Sequence, residues 1–125
     1  MEKEEKKFDL EDRLITFAVS ISKLVEKIPS GITGKYLAGQ IIRSGLSPAL
    51  NYGEAKSAES TGDFIHKMKV ALKELRETFI SLKILQQINN QNQDVILDKH
   101  IQECNELISI FVKSIKTAER NRKQK

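Results

Sequence analysis

Ser44, Ser47, His66, His100 and Cys104 are the side chains whose types suit nucleophilic or metal chemistry. A serine nucleophile needs a base within hydrogen-bond reach, and neither serine has a histidine or lysine partner within its own helix. His100 and Cys104 are one helical turn apart and could share a metal ion, but structural zinc takes four ligands of this kind. The plain alternative is one surface histidine and one core thiol. The Glu-x-x-His pairs of di-iron bundles, the phosphate loop GxxxxGK[ST], the GxSxG elbow and GxGxxG do not occur. No catalytic residue, metal site or cofactor is assigned, and the expectation is that the protein is not an enzyme.

Cations offer more. Lys69, Lys73, Arg76 and Lys83 fall on one face of a helix at 3.6-residue periodicity. Such a ladder can follow a phosphate backbone with an affinity that falls as salt rises. It carries no interleaved aromatic for stacking on bases, and a plain solvated face is the alternative. From Lys113 to Lys125 six basic residues face one acid, so +5 of the formal net charge of +4 lies in this end and about −1 in the rest. Arg120, Arg122 and Lys123 make it a second candidate for gripping a polyanion. A solvated, frayed and flexible terminus is the other reading.

These cations need helices to hold them, and one stretch organises the rest. LAGQIIRSGLSPALNYGEA, Leu37 to Ala55, carries only Arg43 and Glu54 as charges in a chain that is 30% charged. Leu37, Ile41, Ser44, Pro48, Asn51 and Ala55 form one helical stripe, with Ile42, Leu46 and Ala49 on the far side. A helix apolar or small all round is buried on several sides. Arg43 and Glu54 lie about 16 Å apart along the axis, so each needs a partner on another helix. Two readings stay open: a packed central helix with two charges at its rim, or a polar network of Arg43, Ser47, Asn51 and Glu54 that fixes helix register. Pro48 removes a backbone bond and should kink the helix, with Ser44 and Ser47 placed to serve the freed groups.

Three further helices surround it. The first is expected over 9–28, capped by Asp9, with Leu10, Leu14, Phe17, Ile21, Leu24 and Ile28 inward. Ile28-Pro29-Ser30-Gly31 stops it. The second is expected over 34–57 with Thr33 as cap, and the third over 63–87 with Phe64, Met68, Ala71, Leu75 and Leu82 as core stripe. Leu72, Phe79 and Leu85 widen that arc beyond what one bundle core requires. After the polar run Gln86 to Asp94, with Asn92 or Asp94 as cap, a fourth helix over 94–119 turns Ile96, Ile101, Cys104, Leu107 or Ile108, Phe111 and Ile115 inward. The architecture is therefore all-α, an antiparallel up-down-up-down four-helix bundle in a single domain. Helices two and three form a hairpin, which sets Arg43 level with Glu77 and within a turn of Glu74, and sets Glu54 level with His66 and Lys67.

With one cysteine, no leader-like start and no run of about 18 apolar residues, the expectation is a cytoplasmic protein without a membrane span.

RSGLSPALNYGEA followed by DFIHKMKVALKELRET resembles the bacterial 23S rRNA-intervening-sequence proteins. That pattern is R-S-G-x-S-x-x-x-N-x-x-E-A, then D-F-I-x-K with A-x-K-E-x-x-E-[ST] downstream. It is met here by Arg43, Ser44, Gly45, Ser47, Asn51, Glu54 and Ala55, then Asp63, Phe64, Ile65, Lys67, Ala71, Lys73, Glu74, Glu77 and Thr78. The resemblance runs over roughly residues 8–118, with Pro48 and Phe79-Ile80-Ser81-Leu82 as departures. It implies an antiparallel four-helix bundle assembled as a homopentameric ring and no catalytic activity. A related branch, the accessory protein of diversity-generating retroelements, binds a reverse transcriptase and nucleic acid. Two functions follow as expectations: an oligomeric scaffold binding RNA or DNA through basic surfaces, or a protein-interaction module with no nucleic-acid role.

Overall fold

The computed structural model describes residues 9–89 and 94–123. Asp9 opens α1 (Leu10–Val25): its carboxylate accepts the Asp12 amide at 3.1 Å, with Glu11 and Asp12 against the positive end of the helix dipole. The helix stops short of the expected residue 28 because the Lys27 and Ile28 amides turn back to the Leu24 and Val25 carbonyls ahead of Pro29. α2 (Ile32–Lys56) starts at Gly31 without a side-chain cap, so Thr33, expected as the cap, already lies in the first turn. It runs unbroken through Pro48. Ser47 Oγ donates to the Arg43 carbonyl at 2.9 Å, whereas the Ser44 hydroxyl turns toward α3 instead of serving its own helix.

Ser60 caps α3 (Thr61–Ile88) by accepting the Asp63 amide at 3.0 Å, which starts that helix two residues earlier than expected. Asp94 caps α4 (Val95–Lys123) through the Leu97 amide at 3.0 Å; Asn92, the other candidate cap, lies outside the described residues. α4 extends to Lys123, four residues beyond the expected end at 119. Its last turn holds Arg120, Arg122 and Lys123 at the negative end of the helix dipole, where cations stabilise a helix. Residues 124–125 lie outside the described residues.

The four helices neighbour one another in the cyclic order α1, α2, α3, α4, each antiparallel to the next. Across the diagonal, side chains close the core: Tyr52 of α2 meets Phe111 of α4 edge-on, with centroids 6.1 Å apart and planes at 70°. Leu14, Phe17, Ile21, Ile41, Met68, Leu75, Leu82, Leu97, Leu107 and Phe111 are fully or almost fully buried. Two inward assignments shift by one residue: Ile65 is buried where Phe64 was expected, and Leu97 where Ile96 was. The rest of each stripe stays inward, with Met68, Ala71, Leu75 and Leu82 buried in α3 and Cys104, Leu107, Phe111 and Ile115 in α4, so the shift is confined to the first turn of each helix. α1 and α2 approach so closely at Gly45 that a Cβ there would stand 2.8 Å from Ile21 Cγ2.

The seam between α1 and α4 is the loosest of the four. Arg13 pins it with a fork, donating from Nε and Nη2 to the two Glu103 oxygens at 2.9 and 2.6 Å, and from Nη2 to Glu106 at 2.8 Å. His100 adds a ring-nitrogen contact of 3.3 Å to the Ser20 carbonyl.

Candidate functional site

The polar residues of α2 meet α3 in three places. Deepest is a pair of hydroxyls: Ser44 and Thr78, both wholly buried, lie 2.8 Å apart, and Thr78 Oγ1 is also 2.9 Å from the Glu74 carbonyl. A hydroxyl has one proton, so Thr78 donates to that carbonyl and accepts from Ser44, satisfying both groups without a titratable neighbour. Nearer the surface, Arg43 spans two carboxylates, with Nη1 donating to Glu74 at 2.9 Å and Nη2 to Glu77. Glu77 first and Glu74 second hold its guanidinium more firmly protonated. The third place is the end of the hairpin, where Lys67 lies 3.7 Å from Glu54 and from Asp63.

The expected register is therefore present, but the single network is not. Arg43 and Glu54 each find partners on α3, Ser47 bonds only its own helix, and Asn51, half-buried, joins neither ion pair. Arg43 also lies further out than its apolar surroundings in the sequence suggest. Its side chain is 47% exposed, so the pair contributes less than a buried one would. The Ser44–Thr78 pair lies in the same hairpin register as Arg43–Glu77, but two uncharged hydroxyls on small side chains do not demand a partner in the sequence as a lone arginine does. Arg13 with Glu103 was missed for a related reason: ninety positions separate them, and nothing local marks either.

Among the reactive groups, Cys104 is wholly buried and its thiol donates to the Leu75 carbonyl at 3.3 Å. Burial, reinforced by the nearby Glu103 carboxylate, pushes this thiol up to about 12. His100 turns Nδ1 to the Ile96 carbonyl at 2.8 Å rather than toward Cys104.

The cationic stripe lies on the outward face of α3. Lys69 is engaged by Glu119 of α4 at 3.1 Å, and Lys83 stands 5.9 Å over the Phe79 ring. Among the described residues, Lys73, Arg76 and Lys83 have no carboxylate within ion-pair distance. Arg122 packs its guanidinium against the backbone at Gly62, where an added Cβ would meet it at 3.0 Å. The start of the α3 stripe, from which Lys73, Arg76 and Lys83 run away along α3, and the end of α4 thus lie together at one end of the bundle. Lys69–Glu119 joins them.

Beside the stripe runs an open groove of about 630 Å³ between α2 and α3, lined by Lys73 and Arg76 together with Tyr36, Gln40, Ile80 and Ile84. Tyr36 is 67% exposed and Ile80 57%. The stripe alone holds no aromatic, but the neighbouring helix supplies one.

A four-helix bundle whose second and third helices are locked by Ser44–Thr78 and Arg43–Glu74–Glu77, with cations along its outer face, defines the class. Its sequence matches the model of the 23S rRNA-intervening sequence proteins over residues 6–113, and the chain belongs to that family. Its fold is similar to the crystal structure of a protein of unknown function from the S23 ribosomal protein family of Bacteroides thetaiotaomicron. The two are 29% identical, with a TM-score of 0.75 over 86% of this chain and 99% of that one. Among curated proteins none matches this chain. Within the described residues no helix is long and apolar enough to cross a membrane.

Proposed function

We propose that the protein is a non-catalytic, self-assembling scaffold that binds nucleic acid, RNA or DNA, through the basic face of α3 and the end of α4. The observation that carries this reading is the trio Lys73, Arg76 and Lys83, outward on one helix with no carboxylate partner among the described residues. Unpaired cations in register attract a polyanion, and each phosphate contact releases counterions. The absence of catalysis is supported by Ser44, whose partner is a hydroxyl rather than a base, and by Cys104, whose thiol stays protonated.

Assembly is supported by two separate apolar surfaces. α2 presents Ile32 and Leu50 outward, and α1 presents Ile15 and Val19. Two different faces suit a head-to-tail contact, and such contacts form a ring when the rotation between neighbouring copies closes. Five is the number that the resemblance implies, and the cytoplasm is the compartment.

Reversal of Lys73, Arg76 and Lys83 to glutamate tests the nucleic-acid reading by fluorescence anisotropy across a salt series. Wild type is expected to show binding that weakens steeply with salt, and the triple variant to lose it. Equal binding by both proteins removes the stripe. A second reading rests on the exposed Ile80, Ile84 and Ile88 beside the stripe, which suit a protein partner such as a reverse transcriptase. It expects no nucleic-acid binding at physiological salt and a specific polypeptide that copurifies.

A further inference from the structure

We infer that the α2–α3 groove is a site for single-stranded nucleic acid, with Tyr36 as a stacking platform and Lys73 and Arg76 as phosphate contacts. This rests on the nucleic-acid reading above and narrows it from any polyanion to one with unpaired bases.

The argument begins with what each helix contributes. To the groove lining α3 contributes charge and no aromatic, and α2 contributes Tyr36 and Gln40 and no charge. The antiparallel register that pairs Arg43 with Glu77 sets Tyr36 level with Ile84, about eight residues or 12 Å along the axis from Arg76. A short run of nucleotides laid along the groove would place a base at the tyrosine while its backbone reaches both cations. Ile80 and Ile84, each substantially exposed, form an apolar floor on which a base face buries more surface than water leaves it. Gln40 offers an amide donor and acceptor to a base edge.

Charge balance supports the same occupant. One carboxylate, Glu77, lines the groove, and Arg43 already holds it, so it presents little repulsion to a phosphate. Among the described residues, Lys73 and Arg76 have no carboxylate partner. A second copy of the chain docking here would bury two lone cations, which is costly unless it supplies carboxylates to meet them. A duplex fits poorly, because its bases are stacked inside and only its phosphates would touch the rim. The tyrosine and the apolar floor would then go unused. Base–aromatic stacking with a cationic track is the combination that binds single strands with little sequence preference.

The test uses the full chain and a short labelled strand, offered single-stranded and annealed to its complement, in ribo and deoxyribo forms. Wild type should bind the single strand more tightly than the duplex. Tyr36→Ala should weaken single-strand binding roughly ten-fold or more, Tyr36→Phe should retain it, and neither should alter duplex binding. Comparison of the ribo and deoxyribo strands identifies which nucleic acid is preferred. Tyr36 is exposed, and circular dichroism checks that the variants stay folded. If Tyr36→Ala binds like wild type, or the duplex binds as tightly as the single strand, the cations act alone: the inference falls while the broader reading stands. If Tyr36→Ala changes the mass of the assembly, the tyrosine is a contact between copies and the inference also falls. If no strand binds even at low salt, the broader reading fails with it.

Discussion

Cys104 sits among α3 and α4 side chains with no exposed surface and its proton directed at the Leu75 carbonyl. A thiolate there would lose water and face both a carbonyl oxygen and the Glu103 carboxylate, which is why its folded value of about 12 stands above the ordinary 9.0. The sign follows. The unfolded chain releases this proton first, so below pH 9 the thiol contributes no pH dependence, and between 9.0 and about 12 stability falls as pH rises. The limiting slope is about 1.4 kcal/mol per pH unit. Denaturant melts of wild type and Cys104→Ser across this range should diverge, with wild type losing more stability as pH rises. The same burial predicts that a thiol reagent at pH 8 labels Cys104 only at the rate of unfolding; rapid labelling of the native protein would contradict it.

At the scale of helices, the α1–α4 seam is the loosest of the four, and the Arg13–Glu103–Glu106 contacts hold it. Arg13 presents a planar fork that a lysine cannot reproduce. Arg13→Lys should therefore cost about 1 kcal/mol, since the pair is only partly buried. Its effect should be local: amide exchange should quicken in α1 and leave the α2–α3 hairpin unchanged. Uniform quickening throughout would show that α1 does not open separately. This seam also marks the limit of what the chain reveals locally. The periodicity of Leu10, Leu14, Phe17, Ile21 and Leu24 identifies α1 and its inward face, and the hairpin register of α2 with α3 identifies the partners of Arg43 and Glu54. Both depend on spacing within short stretches. Arg13 with Glu103 depends on how helices close around the core, which spacing does not encode. The Ser60 cap starts α3 two residues early, and in that first turn Ile65 is buried while Phe64 packs partly buried at the edge of the same stripe.

At the scale of the whole molecule, α2 raises a question that a lone bundle does not answer. Gly39 and Gly53 lie in its interior on the exposed face, and a Cβ at either would meet nothing within 4 Å. A mid-helix glycine costs about 0.5–1 kcal/mol relative to alanine. Gly45 has a reason in Ile21, but these two have none inside one chain. Leu50, 70% exposed on the same side, adds apolar surface that a monomer would leave in water. Both features are accounted for if a neighbouring copy approaches the α2 backbone closely along this face. The double variant Gly39→Ala/Gly53→Ala separates the two cases. If the chain works alone, the variant should be more stable by about 1–2 kcal/mol from helix propensity, with no change in mass. If copies pack here, light scattering should show wild type well above the monomer mass and the variant dissociating at higher concentration. Its isolated chain would still gain the propensity term, so the loss of assembly could not be assigned to misfolding. A wild-type protein that scatters as a monomer at micromolar concentration would refute the ring and leave the two glycines without a packing role.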